Sequence, residues 1–436
     1  MQLPVCYEDR QIATILVDAG DVRLSYEADW LNAPDRFPIS LTMPIGDADY
    51  GQEVVLPWLM NLLPEGEPLR AMTRALGASP EDVLGLIMET GGDLAGALSI
   101  GPGDHDGPPG YRAIPDTAAL ERIITDLPAR PFLVGDDGVS MSLAGAQDKL
   151  PVALHENQLA IPVNGAPSTY ILKPDNPRLL DGVQNEALCM VLAKRIGLPT
   201  APVTTGTAGE RRYLLVARYD RSISDADGAR RVHQEDFCQA LGRPPAAKYE
   251  FNRTGRRGPS LADMFALVRQ HMTARDITRL LDAVIFNIAV GNVDSHAKNY
   301  SILLRPEGPS FAPLYDLMSG LAWDGITTNH AQAVGGQRRG RHIYGRHWQR
   351  LAEACGLAAR ATVLRLEDVT KRMLRELPAA VDQVAAMPAG PGIMLDVFAG
   401  AIEERIQEVR SHARQEGDVE PDPGTDTSAA VGDSAY

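Results

Sequence analysis

Residues 274–289 constrain this chain more than any other stretch. Ile277, Leu280, Leu281, Val284, Ile285 and Ile288 recur at helical spacing and make one continuous apolar face, so the segment is expected to fold as a core helix. Val290-Gly291 ends it, and the chain leaves as a polar loop, Gly-Asn-Val-Asp-Ser-His-Ala-Lys-Asn-Tyr-Ser, over residues 291–301. Within that loop Asp294 and Asn299 stand five residues apart. A carboxylate there can orient a hydroxyl and take its proton, while an amide oxygen five positions on holds a divalent cation against phosphates. The helix behind the loop supplies the rigid support that such positioning needs, and a well-placed base contributes on the order of 10²- to 10⁴-fold in rate.

The sequence after the loop adds a second carboxylate. Residues 300–304 read as a strand, and a further apolar run over residues 310–315 leads to Asp316 in Tyr315-Asp316-Leu317. A strand, a turn and a returning strand would set Asp316 beside Asn299, where both reach one Mg²⁺. The bland reading makes these a helix-capping loop and a turn aspartate, but the two flanks together favour chemistry.

Upstream, Ser140-Met-Ser-Leu-Ala-Gly-Ala-Gln-Asp-Lys149 is a small-residue loop that runs into the apolar Leu150-Pro-Val-Ala-Leu154. Ala144, Gly145 and Ala146 leave backbone amides open to a phosphate, and Lys149 adds positive charge. The loop is not a Walker A sequence. Tyr170-Ile-Leu-Lys173 then ends an apolar strand on a lysine, and Glu186 follows on a helix expected over residues 184–196. A strand lysine held toward the α- and β-phosphates by a helix glutamate is the arrangement of kinases.

Along the chain, residues 12–17 and 22–26 look like a short hairpin, followed by a helical region over residues 56–76 and a helix to residue 89 opened by Ser79-Pro80-Glu81-Asp82. Gly91-Gly-Asp-Leu-Ala-Gly96 reads as a tight turn into a strand at residues 97–100 rather than as a phosphate loop, since no helix follows. Residues 101–110, rich in Gly and Pro, are the clearest linker. A helix opened by Asp116, strands at residues 151–154, 169–173 and 213–216, and a mostly helical remainder with Ser260 and Thr273 as N-caps complete the expectation.

Composition excludes some classes. With 44% hydrophobic and 23% charged residues in 436, the chain fits a globular protein of two to four domains or subdomains, and a net charge of -15 argues against a uniformly basic nucleic-acid surface. Part of that charge lies in residues 416–436, which carry six acids and no base and read as disordered. Four scattered cysteines, Cys6, Cys189, Cys238 and Cys355, form no zinc or disulfide pattern. No apolar run is long enough to span a bilayer and no secretory leader is evident, so a cytoplasmic protein with free thiols is expected. Against this acidic background, residues 335–350 concentrate Arg338, Arg339, Arg341, Arg346 and Arg350, and Arg253, Arg256 and Arg257 form a second cluster. Such arginines suit a phosphorylated loop, an acidic substrate or operator DNA, or make a solvated basic surface.

Taken together, these motifs resemble the HipA family of serine/threonine kinases, toxins of bacterial toxin–antitoxin pairs. The resemblance runs through Asn61-Leu-Leu-Pro-Glu-Gly66, Gly91 to Gly96, Ser142-Leu-Ala-Gly-Ala-Gln-Asp-Lys149, Tyr170 to Pro174, Asn185-Glu186, Val216-Ala-Arg-Tyr-Asp-Arg221, His233-Gln-Glu-Asp-Phe-Cys-Gln239, Lys248-Tyr-Glu250, Asp294 to Asn299 and Tyr315-Asp316. It departs from the family's pattern at Ala217, where a hinge Glu is common.

The resemblance implies an α+β, two-lobed protein-kinase-like fold. Residues 1–105 would form an extra N-terminal subdomain, 106–230 the N-lobe, 231–412 a mostly helical C-lobe, and 413–436 a disordered acidic tail. It also implies ATP and Mg²⁺ as cofactors and a non-specific serine/threonine protein kinase activity. Asp294 would be the base, Asn299 and Asp316 the metal ligands, and Lys173 the phosphate lysine. Ser142, Ala144, Gly145, Ala146, Gln147, Asp148 and Lys149 would line the nucleotide with Arg218, Tyr219, Gln234, His296 and Lys298. Ser142, or Ser140 two residues away, would be self-phosphorylated and silence the enzyme. The implied partners are a HipB-like helix-turn-helix antitoxin, operator DNA mainly through it, and an acceptor such as an aminoacyl-tRNA synthetase or other translation factor, with persistence as an outcome and no membrane. Two other readings stay open: a small-molecule kinase of the aminoglycoside-phosphotransferase type, and a catalytically silent corepressor that only binds an antitoxin.

Overall fold

The computed structural model describes residues 1–101, 107–224 and 228–415, so the middle of the expected linker and the acidic tail from residue 416 lie outside the described residues. The chain divides into two compact units. Met1–Pro174, Gly206–Pro245 and Ile302–Pro309 make the first, and Asp175–Thr205, Ala246–Ser301 and the chain from Ser310 make the second.

Unit 1 opens with a four-stranded antiparallel sheet in the order Asp21–Tyr26, Arg10–Asp18, Gln2–Tyr7, Leu98–Ile100. The hairpin expected from sequence turns at Ala19-Gly20, where Asp18 pairs with Asp21 and both turn residues take positive φ. Leu3, Val5, Ile12, Ile15, Leu24 and Trp30 bury its inner face. The strand Gln2–Tyr7 escaped the sequence reading because Pro4 interrupts its alternation of Leu3 and Val5. The helical stretch expected over residues 56–76 is two helices, Gln52–Met60 and Gly66–Leu76. Asn61-Leu-Leu-Pro-Glu65 breaks it, since Pro64 lacks an N–H and biases the residue before it away from helix. The next helix is Val83–Thr90, capped not by Ser79 but by Asp82, whose Oδ1 accepts from the Gly85 N–H at 2.9 Å. The Ser79 hydroxyl is instead engaged by Glu81.

The second sheet of unit 1 runs Gly110–Ala113, Gln158–Val163, Leu150–His155, Tyr170–Pro174, Arg211–Ala217, with residues 206–208 at its far edge. Tyr170–Pro174 is central, pairing antiparallel with both neighbours, so Leu172 faces Leu150 on one side and Leu215 on the other. Lys173 is carried into the interior by this strand and is 7% exposed.

Unit 2 is helical. Gly182–Arg195 is buried along almost its whole length, and the long helix Ala359–Ala385 packs on it and on Ala274–Val290, Gly345–Ala354 and Leu395–Ala413. Ser260 and Thr273 cap Leu261–His271 and Ala274–Val290 with reciprocal bonds to Asp263 and Asp276, as their positions predict. Gly291 ends the second of these helices at φ 69, the left-handed conformation that stops a helix cleanly. No helix among the described residues is long and apolar enough to cross a membrane.

Candidate active site

The loop after Gly291 is fixed by buried amides. Asn287, in the last turn of the helix, donates to the Tyr300 hydroxyl at 2.8 Å and accepts from Asn292 Nδ2 at 3.0 Å, and Asn292 Oδ1 accepts from the Asp294 N–H at 3.2 Å. His330 bonds the Asn292 carbonyl at 3.1 Å from behind. Asn299 Nδ2 donates to the Asp294 carbonyl at 2.9 Å, closing the five-residue span onto itself. That bond orients the amide and directs Asn299 Oδ1 away from the same carbonyl.

Tyr249, which no role was expected for beyond its place in a family signature, donates its hydroxyl to Asp294 Oδ1. It also packs edge-on against His296, with ring centroids 5.1 Å apart. The backbone joins the two segments as well, because the Ala297 N–H donates to the Lys248 carbonyl at 3.1 Å. Burial, with Lys248 and Lys298 nearby, holds the His296 imidazole well below its ordinary range against the opposing pull of Asp316. The imidazole is therefore held neutral and weakly basic. Its Nδ1 is buried without a hydrogen-bond partner, the sort of atom that a bound group satisfies.

Asp316 is held beside this loop from both flanks. The Tyr315 hydroxyl donates to the Lys298 carbonyl at 2.6 Å and shares a 2.7 Å bond with the Ser301 hydroxyl, and the Ala312 N–H donates to the Ser301 carbonyl at 2.9 Å. Beyond Asp316, Asn185 takes both backbone groups of Ser319, at 3.0 and 2.8 Å, and the Gly320 N–H donates to the Gly291 carbonyl at 3.1 Å. Between these clamps Asp316 sits at φ 57, a conformation uncommon for a side-chain-bearing residue and costing roughly 1–3 kcal/mol. An amide oxygen and a carboxylate fit Mg²⁺, which takes few protein ligands and keeps waters and phosphates for the rest. Among the described residues no group of three or more His, Cys, Asp or Glu could hold a metal ion.

In unit 1 the phosphate-loop candidate is pinned by the N-terminal segment. Pro64 bridges Gly145 and Asp93 bridges Met141, both in parallel, and the Glu65 N–H donates to the Gly145 carbonyl at 3.1 Å. Ser142 is fully buried, its hydroxyl donating to the Leu62 carbonyl at 3.0 Å and its N–H to the Asp93 carbonyl at 3.2 Å. Ser140 donates to the Glu89 carbonyl at 3.1 Å and accepts from the Gly92 N–H at 3.0 Å. Ala144, Gly145, Ala146, Gln147, Asp148 and Lys149 are half-buried, with Gly145 at φ 108 and Lys149 Nζ donating to the Ala144 carbonyl at 2.6 Å. Burial raises the Asp148 carboxyl, against Lys149 and Arg211. Gly91 and Gly92, expected as part of a tight turn, are also close-packed: a Cβ on Gly91 would run into the Ile100 backbone and one on Gly92 into Ser140.

The hinge candidate has a different character. Arg218, expected at the nucleotide, has a guanidinium 1% exposed that donates to Asp220 at 2.9 and 2.6 Å, to Asp93 at 3.3 Å and to the Leu94 carbonyl at 2.7 Å. Its N–H donates to the Thr169 carbonyl at 2.9 Å, so its side chain serves the interior of unit 1. Arg221 completes the network at 2.8 Å from Asp93, and Ser168 donates to Asp93 at 2.6 Å. Burial pushes the Asp93 carboxyl up, but Arg221, Arg218 and Arg231 outweigh it and hold it far below the usual carboxylate range. Tyr219 donates to Gln234 Oε1 at 2.5 Å, so these two candidates do meet. Asp93 and Arg221 were visible only as motif letters.

Comparison with known proteins agrees with this geometry. The HipA N-terminal domain model matches residues 3–101 and the HipA-like C-terminal domain model matches residues 141–380. The chain is 40% identical over 365 residues to Sinorhizobium fredii Y4mE, a candidate kinase, covering 81% of this chain and 86% of that one. It is 31% identical over 381 residues to the serine/threonine-protein kinase toxin HipA of Shewanella oneidensis, covering 85% of each. Among solved structures, a chain of the Shewanella oneidensis HipA, HipB and operator DNA complex superposes with a TM-score of 0.84 at 27% identity, over 94% of this chain and 98% of that one. Domain models on both halves, relatives over most of the length and a shared α+β kinase-like fold lead to one conclusion: the chain belongs to the HipA family of kinases.

Proposed function

We propose that this protein is an ATP- and Mg²⁺-dependent serine/threonine protein kinase, the toxin of a HipBA-like pair, modifying a component of translation such as an aminoacyl-tRNA synthetase. One observation carries the reading: Asp294 and Asn299 share a loop closed by their own hydrogen bond, and Tyr315 ties the segment bearing Asp316 to that loop. Asp294 orients the acceptor hydroxyl and takes its proton, with Tyr249 fixing the carboxylate's rotamer. Asn299 and Asp316 hold Mg²⁺, which when bound neutralises charge developing on the transferred phosphoryl. Lys173 and the amides of residues 144–146 meet the phosphates, and the Tyr219–Gln234 pair borders the base.

Self-phosphorylation of Ser142 is the expected off-switch. Its hydroxyl lies buried under Leu62, and a phosphate of about -1.5 to -2 charge does not return to that slot. Ser140 is the second candidate. A HipB-like helix-turn-helix antitoxin is the expected partner, supported by the HipA, HipB and operator DNA assembly of the Shewanella structure, with contact to operator DNA mainly through that antitoxin and a cytoplasmic site of action.

The test is intact-mass and phosphopeptide mapping after incubation with Mg-ATP, beside Asp294→Ala. Phosphate on Ser142 or Ser140 in the parent alone is expected. A parent that is unphosphorylated at the start, gains no phosphate and binds no ATP overturns the reading. Phosphate found only on a metabolite would reassign the acceptor class.

A further inference from the structure

Two arginine clusters far apart in sequence meet at one exposed ring. Phe251 is 42% exposed, and the Arg257 and Arg338 guanidinium carbons lie 5.6 and 4.5 Å from its centroid. Arg253 and Arg256, on the adjoining loop, and Arg339, next to Arg338, are exposed. The segment carrying the ring is braced from behind. Glu250 accepts from the Ala333 N–H at 2.7 Å, donates its own N–H to the Ala331 carbonyl at 3.1 Å, and pairs through its carboxylate with Arg257. Tyr249, one residue earlier, holds the Asp294 carboxylate. The ring is therefore separated from the residue that grips the base by about 7 Å of backbone at most.

We infer that this arginine-framed ring is the docking surface for the acceptor protein, and that it takes an acidic segment: a serine or threonine with Asp or Glu side chains about two to five positions away. The inference rests on the kinase reading and supplies its substrate class. Charge is the first argument, since the protein carries a net -15 yet brings Arg257 and Arg338 to one exposed ring, with Arg253, Arg256 and Arg339 exposed within a few positions of them in sequence. Chemistry is the second. The planar guanidinium fork matches carboxylates two bonds at a time, and an aromatic ring beneath it holds its plane in place. Spacing is the third, because an extended peptide advances about 3.3–3.6 Å per residue and spans the distance from Asp294 to the ring within a few positions. Operator DNA or RNA would also meet arginines, but the link to Asp294, two residues back to Tyr249 and across its hydrogen bond, favours the acceptor.

The experiment uses the full, unphosphorylated chain and fluorescein-labelled serine peptides that differ only in carrying Glu, Gln or Lys at the flanking positions. Binding is read by anisotropy and phosphate transfer by mass. The Glu peptide is expected to bind about tenfold tighter than the Gln peptide at low salt, to weaken as salt rises, and to lose that margin in Arg253→Glu/Arg256→Glu, while ATP affinity stays unchanged. Equal binding of all three peptides, or an unchanged margin in the double variant, overturns the inference. So does a variant that loses a labelled DNA duplex or RNA but keeps the peptide margin. Phosphate transferred to peptides irrespective of charge overturns this surface alone, whereas no transfer and no ATP binding overturns the kinase reading and the acceptor role together.

Discussion

The candidate catalytic loop and the candidate phosphate loop are held in opposite ways. Residues 291–301 are almost wholly buried, and their fasteners are side chains on their own unit: Asn287, Asn292, Tyr249, His330 and Tyr315. Residues 144–149 are only half-buried and are held to the N-terminal segment through backbone, by Pro64 and Glu65 at Gly145, while Asp93 holds Met141 and Ser142 just before them. Side-chain fasteners on a core helix make a site that cannot shift without unfolding its support. A loop held by a few backbone bonds and the Ser140 and Ser142 hydroxyls has fasteners that a change at either serine would remove. In a family of kinases, the base needs the first kind of mounting and a switch needs the second.

Mutations sharpen that contrast, beginning with the base. Asp294→Asn is expected to lower phosphate transfer by about 10²- to 10⁴-fold with ATP binding retained, read by single-turnover transfer beside a nucleotide titration. Next in size is the brace behind the phosphate loop. Asp93→Ala leaves Asp220 as the one carboxylate facing the buried Arg218 and Arg221, and a loss of about 3–5 kcal/mol in the stability of unit 1 is expected from urea unfolding. If the loss is below about 1 kcal/mol, the network is not what mounts the loop.

Tyr249→Phe removes a hydrogen bond to a charged carboxylate and should cost about 1.5–3 kcal/mol in the transition state, roughly 10- to 150-fold in kcat, with little change in KM for ATP. A parallel loss in thermal stability would make Tyr249 merely structural. Ser142→Ala deletes one buried hydrogen bond, about 1 kcal/mol, and the expected readout is faster proteolytic cleavage within residues 140–149, with the catalytic loop unaffected.

Acid should probe unit 1 separately. His233 accepts from the Ala97 N–H at 3.4 Å and faces the Ile39 carbonyl at 2.8 Å, so Nε2 carries its proton; burial pushes the imidazole down to about 4, against Ile39 and Asp220. A base with a depressed folded pKa binds fewer protons folded than unfolded between about 4 and 6.5, so stability is full above 6.5 and is lost as pH falls toward 4. Asp93, depressed as a carboxyl, adds its own loss only as pH drops below about 3.9. Burial also raises the Glu235 carboxyl to about 8, which adds stability as pH falls through the same window, so the His233 contribution is read as a difference: in urea unfolding at pH 7, 5.5 and 4.5, His233→Asn should gain on the parent as pH falls.

Much of the local structure around the candidate site was legible because its signals are local. The apolar face of residues 274–289, the caps Ser260 and Thr273, Gly291 as the stop and the Asp294-to-Asn299 spacing all act within a few turns of chain, where steric and hydrogen-bonding rules operate on neighbours. Even locally, two competing caps were confused: Asp82 prevailed over Ser79 because its carboxylate reaches the Gly85 N–H at the helix's actual start.

By itself, then, the sequence determined which residues could be base, metal ligands and phosphate loop, and the elements on which most of them ride. Only the tertiary structure decided what fastens them. Tyr249 reaches Asp294 across 45 positions, Leu62 covers Ser142 across 80, Arg218 meets Asp93 across 125, and Arg338 comes to Phe251 from a distant strand. Such pairings follow from which buried faces pack together and from where buried charges find partners. Those are properties of the whole core, and no window of neighbouring residues contains them.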